Sequence, residues 1–211
     1  MAGEKRDFDG AAATWDENPG RIQMAQDVAR AIRETVKPGP ADNVLDFGCG
    51  TGLLSLSLLP SVRSVVAVDS SEGMLGVLGA KIAAKHLANI RTHLADVGKG
   101  DQLPGPVDLV VSSMTFHHLE NPGPVLAEMA RVLRPGGRIA IADLDSDEGK
   151  FHESPEGVFH NGFDRCTMQK YLESAGFGGI RNRTAAIARK PGPSGGTRTF
   201  TVFLMTATKK A

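Results

Sequence analysis

The stretch NVLDFGCGTG, residues 43–52, decides the fold. Its first half is nearly continuous in apolar residues (Val44, Leu45, Phe47), the pattern of a strand covered on both faces. Its second half puts glycine at 48, 50 and 52. Glycine removes the Cβ and tolerates positive φ, so a strand entering such a turn and then a helix predicts a site where a ligand lies against backbone. The spacing G-x-G-x-G departs from the G-x-G-x-x-G of dinucleotide turns, and no lysine follows as in a phosphate-binding loop. Asp46, inside the last turn of the strand, would repel a diphosphate and suits an ammonium or sulfonium charge. Asp46, Gly48 and Gly50 therefore predict a cationic, amino-acid-bearing nucleoside.

Outward from that turn, β-rich runs alternate with helical ones. Strands are expected at 43–48, 64–69, 90–95, 107–112 and 138–143, and helices at 71–87 and 122–133. Asn121 caps the second helix, with Pro122 at its first position and Pro135-Gly136-Gly137 beyond its end. Gly73, Gly76 and Gly79 each cost 71–87 about 1 kcal/mol against alanine, so that helix is expected to pack closely or fray at its start. Upstream, Asn18 and Pro19 open a helix that runs to Val36, with Ile22, Ala25, Val28, Ala29, Ile32 and Val36 on one face, as a flank or lid. Downstream, 143–164 is a long polar segment without a period, and loops of that length are often functional. A helix at 167–175 and strands near 177–188 and 198–206 complete the chain, and the loop KPGPSGGT between the strands predicts an antiparallel hairpin at a sheet edge.

The expected fold class is α/β: one doubly wound sheet, mostly parallel, with helices on both faces. The 211 residues read as one domain, with a helical flank at 1–40, a ligand-binding core at 41–145, a covering segment at 146–166, and a final helix and hairpin at 167–211. Lys and Arg balance Asp and Glu, which counts against a dedicated nucleic-acid surface. The cluster Arg181, Arg183, Arg189 and Lys190 reads as a solvated strand edge. Cys49 and Cys166 form no disulfide framework, the N-terminus MAGEKRDFDG is charged, and no apolar run is long enough to span a bilayer. A cytoplasmic protein without a membrane partner is expected. Edge strands in the hairpin permit a homodimer as well as a monomer.

The second strand ends in Asp69, seventeen residues after Gly52, where an acid accepts hydrogen bonds from both hydroxyls of an adenosine ribose, with Ser70 beside it. Asp96 follows the third strand, where it can meet the exocyclic amine of an adenine while the Val97 amide serves a ring nitrogen. Met74 and Leu75 read equally as apolar contacts to the base or as helix core. Ser112, Ser113 and Met114, at the end of the fourth strand, should face the ligand across the cleft.

These segments together carry a resemblance. VLDFGCGTG, VVAVDSSEGML, ADV, VDLVVSSMTFHHLENP and RVLRPGGRIAIADL occur in the order and spacing of the class I S-adenosylmethionine-dependent methyltransferases, and resemble the small-molecule branch with the ubiquinone/menaquinone-type enzymes. The resemblance is close over about 40–145 and loose elsewhere. It implies a Rossmann-like sheet of seven strands whose last pair includes an antiparallel one. It also implies S-adenosylmethionine as donor and S-adenosylhomocysteine as product, with Gly48, Cys49 and Gly50 along the methionine portion, Asp69 at the ribose and Asp96 at the adenine. Cys49 is then a small turn residue rather than a nucleophile.

Methyl transfer from a sulfonium needs positioning and exclusion of water, and a base only where the acceptor must lose a proton. His117 is the candidate base, or else a structural hydrogen-bonding residue, and His118 adjoins it. His152 and His160 lie in the covering segment with Phe151, Phe159 and Phe163, as expected over a small acceptor. Convergence of His117, His152 and His160 would make a metal site or an acid–base cluster, and no metal is assigned. Asp143 and Asp145 read as solvated loop residues, with a divalent-metal role as the alternative. Trp15 and Phe8 read as a lid or an anchor for the first helix, and Arg21 is placed to reach the methionine carboxylate. No [DN]-P-P-[YFW] follows the fourth strand, which disfavours nucleic-acid amine methylation, and two cysteines are too few for arsenic methylation. The competing readings are a protein or RNA methyltransferase, a module that binds the donor without turnover, and a nicotinamide oxidoreductase, which the glycine spacing and Asp46 discourage.

Overall fold

A computed structural model describes residues 6–192 and 195–210. The start of the charged N-terminus and two residues of the KPGPSGGT loop lie outside the described residues. Helices α1 (Phe8–Ala11) and α2 (Pro19–Thr35) precede strand β1 (Asn43–Phe47). Helix α3 (Leu53–Leu58), β2 (Ser64–Asp69), α4 (Glu72–Ala84), β3 (Ile90–Leu94), β4 (Val107–Ser113), α5 (Pro122–Val132) and β5 (Leu133–Leu144) follow. Helix α6 (Arg165–Ser174), β6 (Phe177–Pro191) and β7 (Thr197–Lys209) end the chain.

The seven strands form one sheet in the order β3-β2-β1-β4-β5-β7-β6, parallel except for β7, which runs antiparallel to both its neighbours. Successive strand residues feed opposite faces. Val44, Val65 and Ala67 join the core under α2, α3 and α4, whereas Leu45, Val66 and Val68 join the core under α5 and α6. The strand order reverses between β1 and β4, the switch point beside which open α/β sheets bind ligands. No helix among the described residues is long and apolar enough to cross a membrane.

The caps expected at Asn18 and Asn121 form, and Ser71 adds a third at the start of α4. Asn18 Oδ1 accepts from the Gly20 amide at 2.9 Å, Asn121 Oδ1 from Gly123 at 3.1 Å, and Ser71 Oγ from Met74 at 3.1 Å. The start of α4 does not fray. Gly73 packs there against the Asp9 backbone, 3.0 Å from where a Cβ would sit, while nothing approaches within 4 Å of Gly76 or Gly79. β5 begins five residues earlier than expected, passing through Pro135-Gly136-Gly137, and α6 begins at Arg165. The expected antiparallel hairpin forms from β6 and β7 at one edge of the sheet, with β7 inserted between β5 and β6, so that of the two only β6 is an edge strand.

Candidate active site

A cleft of about 1430 Å³ opens at the carboxyl ends of β1, β2 and β4. Its floor is the glycine turn, and the three glycines serve three different purposes. A Cβ on Gly48 would stand 2.3 Å from the Thr115 side chain, and one on Gly52 would stand 2.3 Å from Leu78 Cδ1. Those two glycines make room for the protein's own side chains. Gly50 alone faces open cleft, its nearest neighbour being Met74 Sδ at 3.9 Å, so it is the position that lets a ligand lie on the backbone. All three have positive φ. Met114, also at positive φ, turns the chain after β4 so that Thr115 backs Gly48 and donates to the Gly48 carbonyl at 3.3 Å.

Two carboxylates hold this floor. Asp69 accepts from the Gly50 amide at 2.7 Å and from the Ser71 amide at 3.0 Å, which clasps the turn to the end of β2. Burial raises its pKa against those bonds. Asp46 is 1% exposed and accepts from Ser55 Oγ at 2.5 Å. Burial, aided by the charge of Asp69 and opposed by Ser55, pushes its pKa up to about 7. A buried carboxylate poised near neutrality beside an open backbone fits a cationic ligand portion, whose charge would bring it back to the ionised form. Ser70, Met74, Asp96 and Val97 line the same side of the cleft. Cys49 is buried, and desolvation first, then Asp46 and Asp69, raise its thiol well above the ordinary range, as suits a turn residue and not a nucleophile.

Ser113 and Met114 line the cleft as expected, but Ser112 does not. It is fully buried within the sheet and donates to the Phe47 carbonyl at 2.8 Å, because alternate residues of a strand point to opposite faces.

The opposite wall is histidine-rich. His117 and Asp143, both fully buried, meet at 2.7 Å through Nδ1 and Oδ1. Burial works to raise the Asp143 pKa, but the His117 charge and bonds from His117 and the Leu144 and Phe116 amides outweigh it and hold it below the usual carboxylate range. This corrects the reading of Asp143 as a solvated loop residue. Asp145 is also engaged, bound by Arg165 through two contacts of 2.7 Å and by Thr201 Oγ1 at 2.7 Å, so neither acid is free for a metal.

The expected trio is corrected as well. His118 and His152, not His160, gather around His117, with ring centroids 4.1 and 4.9 Å away. The amides of Phe159 and His160 both donate to the His117 carbonyl, and the His160 ring instead stacks on Phe163 at 4.8 Å. Burial, then the charge of His117, lowers His118 to about 4. Burial, then His117 and His118, lowers His152 to about 3.

The N-terminal segment closes the cleft from above. Asp9 accepts from Ser71 Oγ at 2.6 Å and the Gly73 amide at 2.7 Å, and Asp16 takes Thr51 Oγ1 at 2.6 Å and an ion pair with Lys81. Arg21 stacks on Trp15 at 3.8 Å and donates to its carbonyl, while Phe8 touches both Trp15 and His118. Lys190 leaves the solvated edge assigned to it, lying over Phe151 at 4.0 Å and donating to its carbonyl.

Residues 44–137 match a family model described as a methyltransferase domain. That segment, a little under half of the chain, carries a class I S-adenosylmethionine-dependent methyltransferase domain. The chain is 34% identical over 134 residues to an uncharacterized methyltransferase of Schizosaccharomyces pombe, covering 57% of this chain and 47% of that one. It is 33% identical over 148 residues to the demethylmenaquinone methyltransferase of Mycolicibacterium vanbaalenii, covering 68% and 60%. The chain therefore spans about half to three fifths of the length of these relatives. Its fold superposes with a TM-score of 0.70 on phosphoethanolamine N-methyltransferase 2 of Haemonchus contortus in complex with S-adenosyl-L-methionine, at 16% identity over 87% of this chain and 52% of that one.

Sequence reasoning misses Asp9 and Asp16, and gives Asp143 only an alternative metal role and His118 only a place beside His117. Asp143 had a usable signal, because it stands one residue before the end of β5, much as Asp69 ends β2. Asp9 and Asp16 had none.

Proposed function

We propose that the chain is an S-adenosylmethionine-dependent methyltransferase acting on a small-molecule acceptor. One observation carries this reading: a single cleft joins a donor-type floor (Asp46, Gly50, Asp69, Asp96) to a wall of histidines around buried His117. The donor, when bound, supplies an activated methyl carbon, so the chain's task is to orient the acceptor about 3 Å from it and keep water out. Asp143 fixes the His117 ring through Nδ1, which leaves Nε2 without a partner among the described side-chain contacts and turned to receive a proton from the acceptor. Similarity to the demethylmenaquinone methyltransferase of Mycolicibacterium vanbaalenii supports a small acceptor.

The rim adds a preference. Arg6, Arg21 and Lys190 line the cleft. Burial first, and then the neighbouring cations, lower the pKa of Arg21 and Lys190. An acceptor bearing an anionic group would relieve that repulsion. A pocket sealed by the 151–163 segment would favour a module that holds the donor without turnover; Phe151, His152 and Phe159 of that segment line the cleft together with the donor-type floor.

The test is calorimetric titration with S-adenosylmethionine, S-adenosylhomocysteine and NADH, followed by His117→Gln in a turnover assay against small acceptors. Binding of the first two alone, with turnover lost and donor affinity kept in the variant, supports the reading. Binding of NADH alone overturns it.

A further inference from the structure

The histidine wall is organised beyond what a single base requires. His117 and His118 are consecutive residues of a 3₁₀ turn after β4, and His152 reaches them from the segment between β5 and α6. One nitrogen from each lies within 4.8 Å of the other two. Two of the remaining ring nitrogens are already occupied in the way those of metal-bound imidazoles are. His117 Nδ1 faces the Asp143 carboxylate at 2.7 Å, and His118 Nδ1 faces the Gly157 carbonyl at 2.6 Å. A carbonyl only accepts, so His118 Nδ1 carries the hydrogen and Nε2 the lone pair. The same holds for neutral His117 against its carboxylate. Such outer contacts fix tautomer and ring orientation toward a metal. The inner atoms lack partners: Nε2 of His117 and of His152 are buried without a hydrogen bond among the described residues. A buried polar atom without a partner costs stability unless something fills the site.

We propose that His117, His118 and His152 form a site for one divalent transition-metal ion of the zinc class. Three imidazoles with no thiolate and no direct carboxylate suit zinc or cobalt and not magnesium or calcium. Tetrahedral coordination brings ligand nitrogens to about 3.3 Å apart, so the rings must close in by about 1.5 Å from their widest separation. The fourth position opens on the cleft, where the cationic rim attracts an anionic ligand. One contact opposes loading: Arg6 Nη1 lies 3.4 Å from His152 Nδ1 and must withdraw when that nitrogen carries the hydrogen. The metal and a proton compete for the same His117 lone pair, so the loaded protein has no free base there. Metal binding itself does not depend on the methyl-transfer reading.

The experiment is titration of the tag-free full chain with Co²⁺, read by its visible absorption, and then with Zn²⁺ in competition with a chromophoric chelator. One equivalent should give the intense bands of four-coordinate cobalt, and Zn²⁺ should bleach them. His118→Ala and His152→Ala should each weaken zinc binding by about 100-fold or more, and Asp143→Asn by about 10–100-fold. Arg6→Ala should tighten it. His160→Ala and the exposed His86→Ala should leave it unchanged. If Asp143→Asn fails to fold, His118→Ala and His152→Ala still decide the matter. Absence of saturable binding, or binding that survives both alanine variants, overturns the proposal.

Discussion

Asp46 makes the sharpest quantitative test, because its environment penalises the charge that its proposed role requires. A carboxyl with an ordinary pKa of 3.8 is held at about 7 by burial. Between about pH 4 and pH 7 the folded chain therefore keeps a proton that the unfolded chain has lost, so this group's contribution to stability falls as pH rises through that window. At about 1.4 kcal/mol per pH unit the loss comes to about 4 kcal/mol and is complete above pH 7 or so. Asp46→Asn removes the titration and keeps an oxygen to accept from Ser55 Oγ. Urea unfolding of both proteins across this range should give nearly equal stability at the acid end and an advantage to the variant of about 4 kcal/mol at about pH 8. Asp69 is also raised by burial and its charge acts on Asp46, so the stability difference reports Asp46 together with its coupling to Asp69. Asp46→Asn should also bind S-adenosylmethionine more weakly, since the attraction to the donor's positive charge is gone. A stability difference that stays flat with pH would refute the assignment of a buried, uncompensated carboxyl.

Gly48→Ala should cost more than about 3 kcal/mol in thermal or urea unfolding, because its Cβ meets Thr115 at 2.3 Å with φ at 68°. Gly50→Ala should fold at a cost of about 1–2 kcal/mol yet bind the donor poorly, which calorimetry would show. Asp69→Ala should weaken donor binding by about 1–3 kcal/mol and loosen the Gly50 and Ser71 amides, visible as faster hydrogen exchange at the turn. An alkylating reagent should modify exposed Cys166 quickly and buried Cys49 only on unfolding, as peptide mass spectrometry would report.

The fold was legible because its signals are local. Apolar runs, caps at Asn18 and Asn121, and the glycine turn each lie within one element and its flank. The places that misled depend on what sits across the chain. Asp46, Asp69 and Asp143 all stand at or near strand ends, and the first two were read as ligand contacts. Asp143 belongs to the same pattern, but it faces the turn after β4, where the Phe116 amide and His117 claim both its oxygens. Glycine at 48 and 52 was read as space for a ligand, whereas the space belongs to Thr115 and Leu78, which the sheet and α4 bring back to the turn.

The same argument explains the histidines. His152 and His160 look equivalent in a segment without periodicity, and spacing cannot choose between them. The choice is made by backbone hydrogen bonds: with the amides of Phe159 and His160 both spent on the His117 carbonyl, the His160 ring is directed onto Phe163. Its Nε2 is buried without a partner too, so burial alone does not mark a ligand. What separates His118 and His152 from it is convergence on one point, and convergence depends on tertiary packing. The lid follows the same rule, since Asp9 reaches Ser71 across 62 residues and Asp16 reaches Thr51 across 35. Chemistry that one element carries can be read from its residues, but chemistry shared between elements becomes visible only once the sheet has set which strand ends face each other.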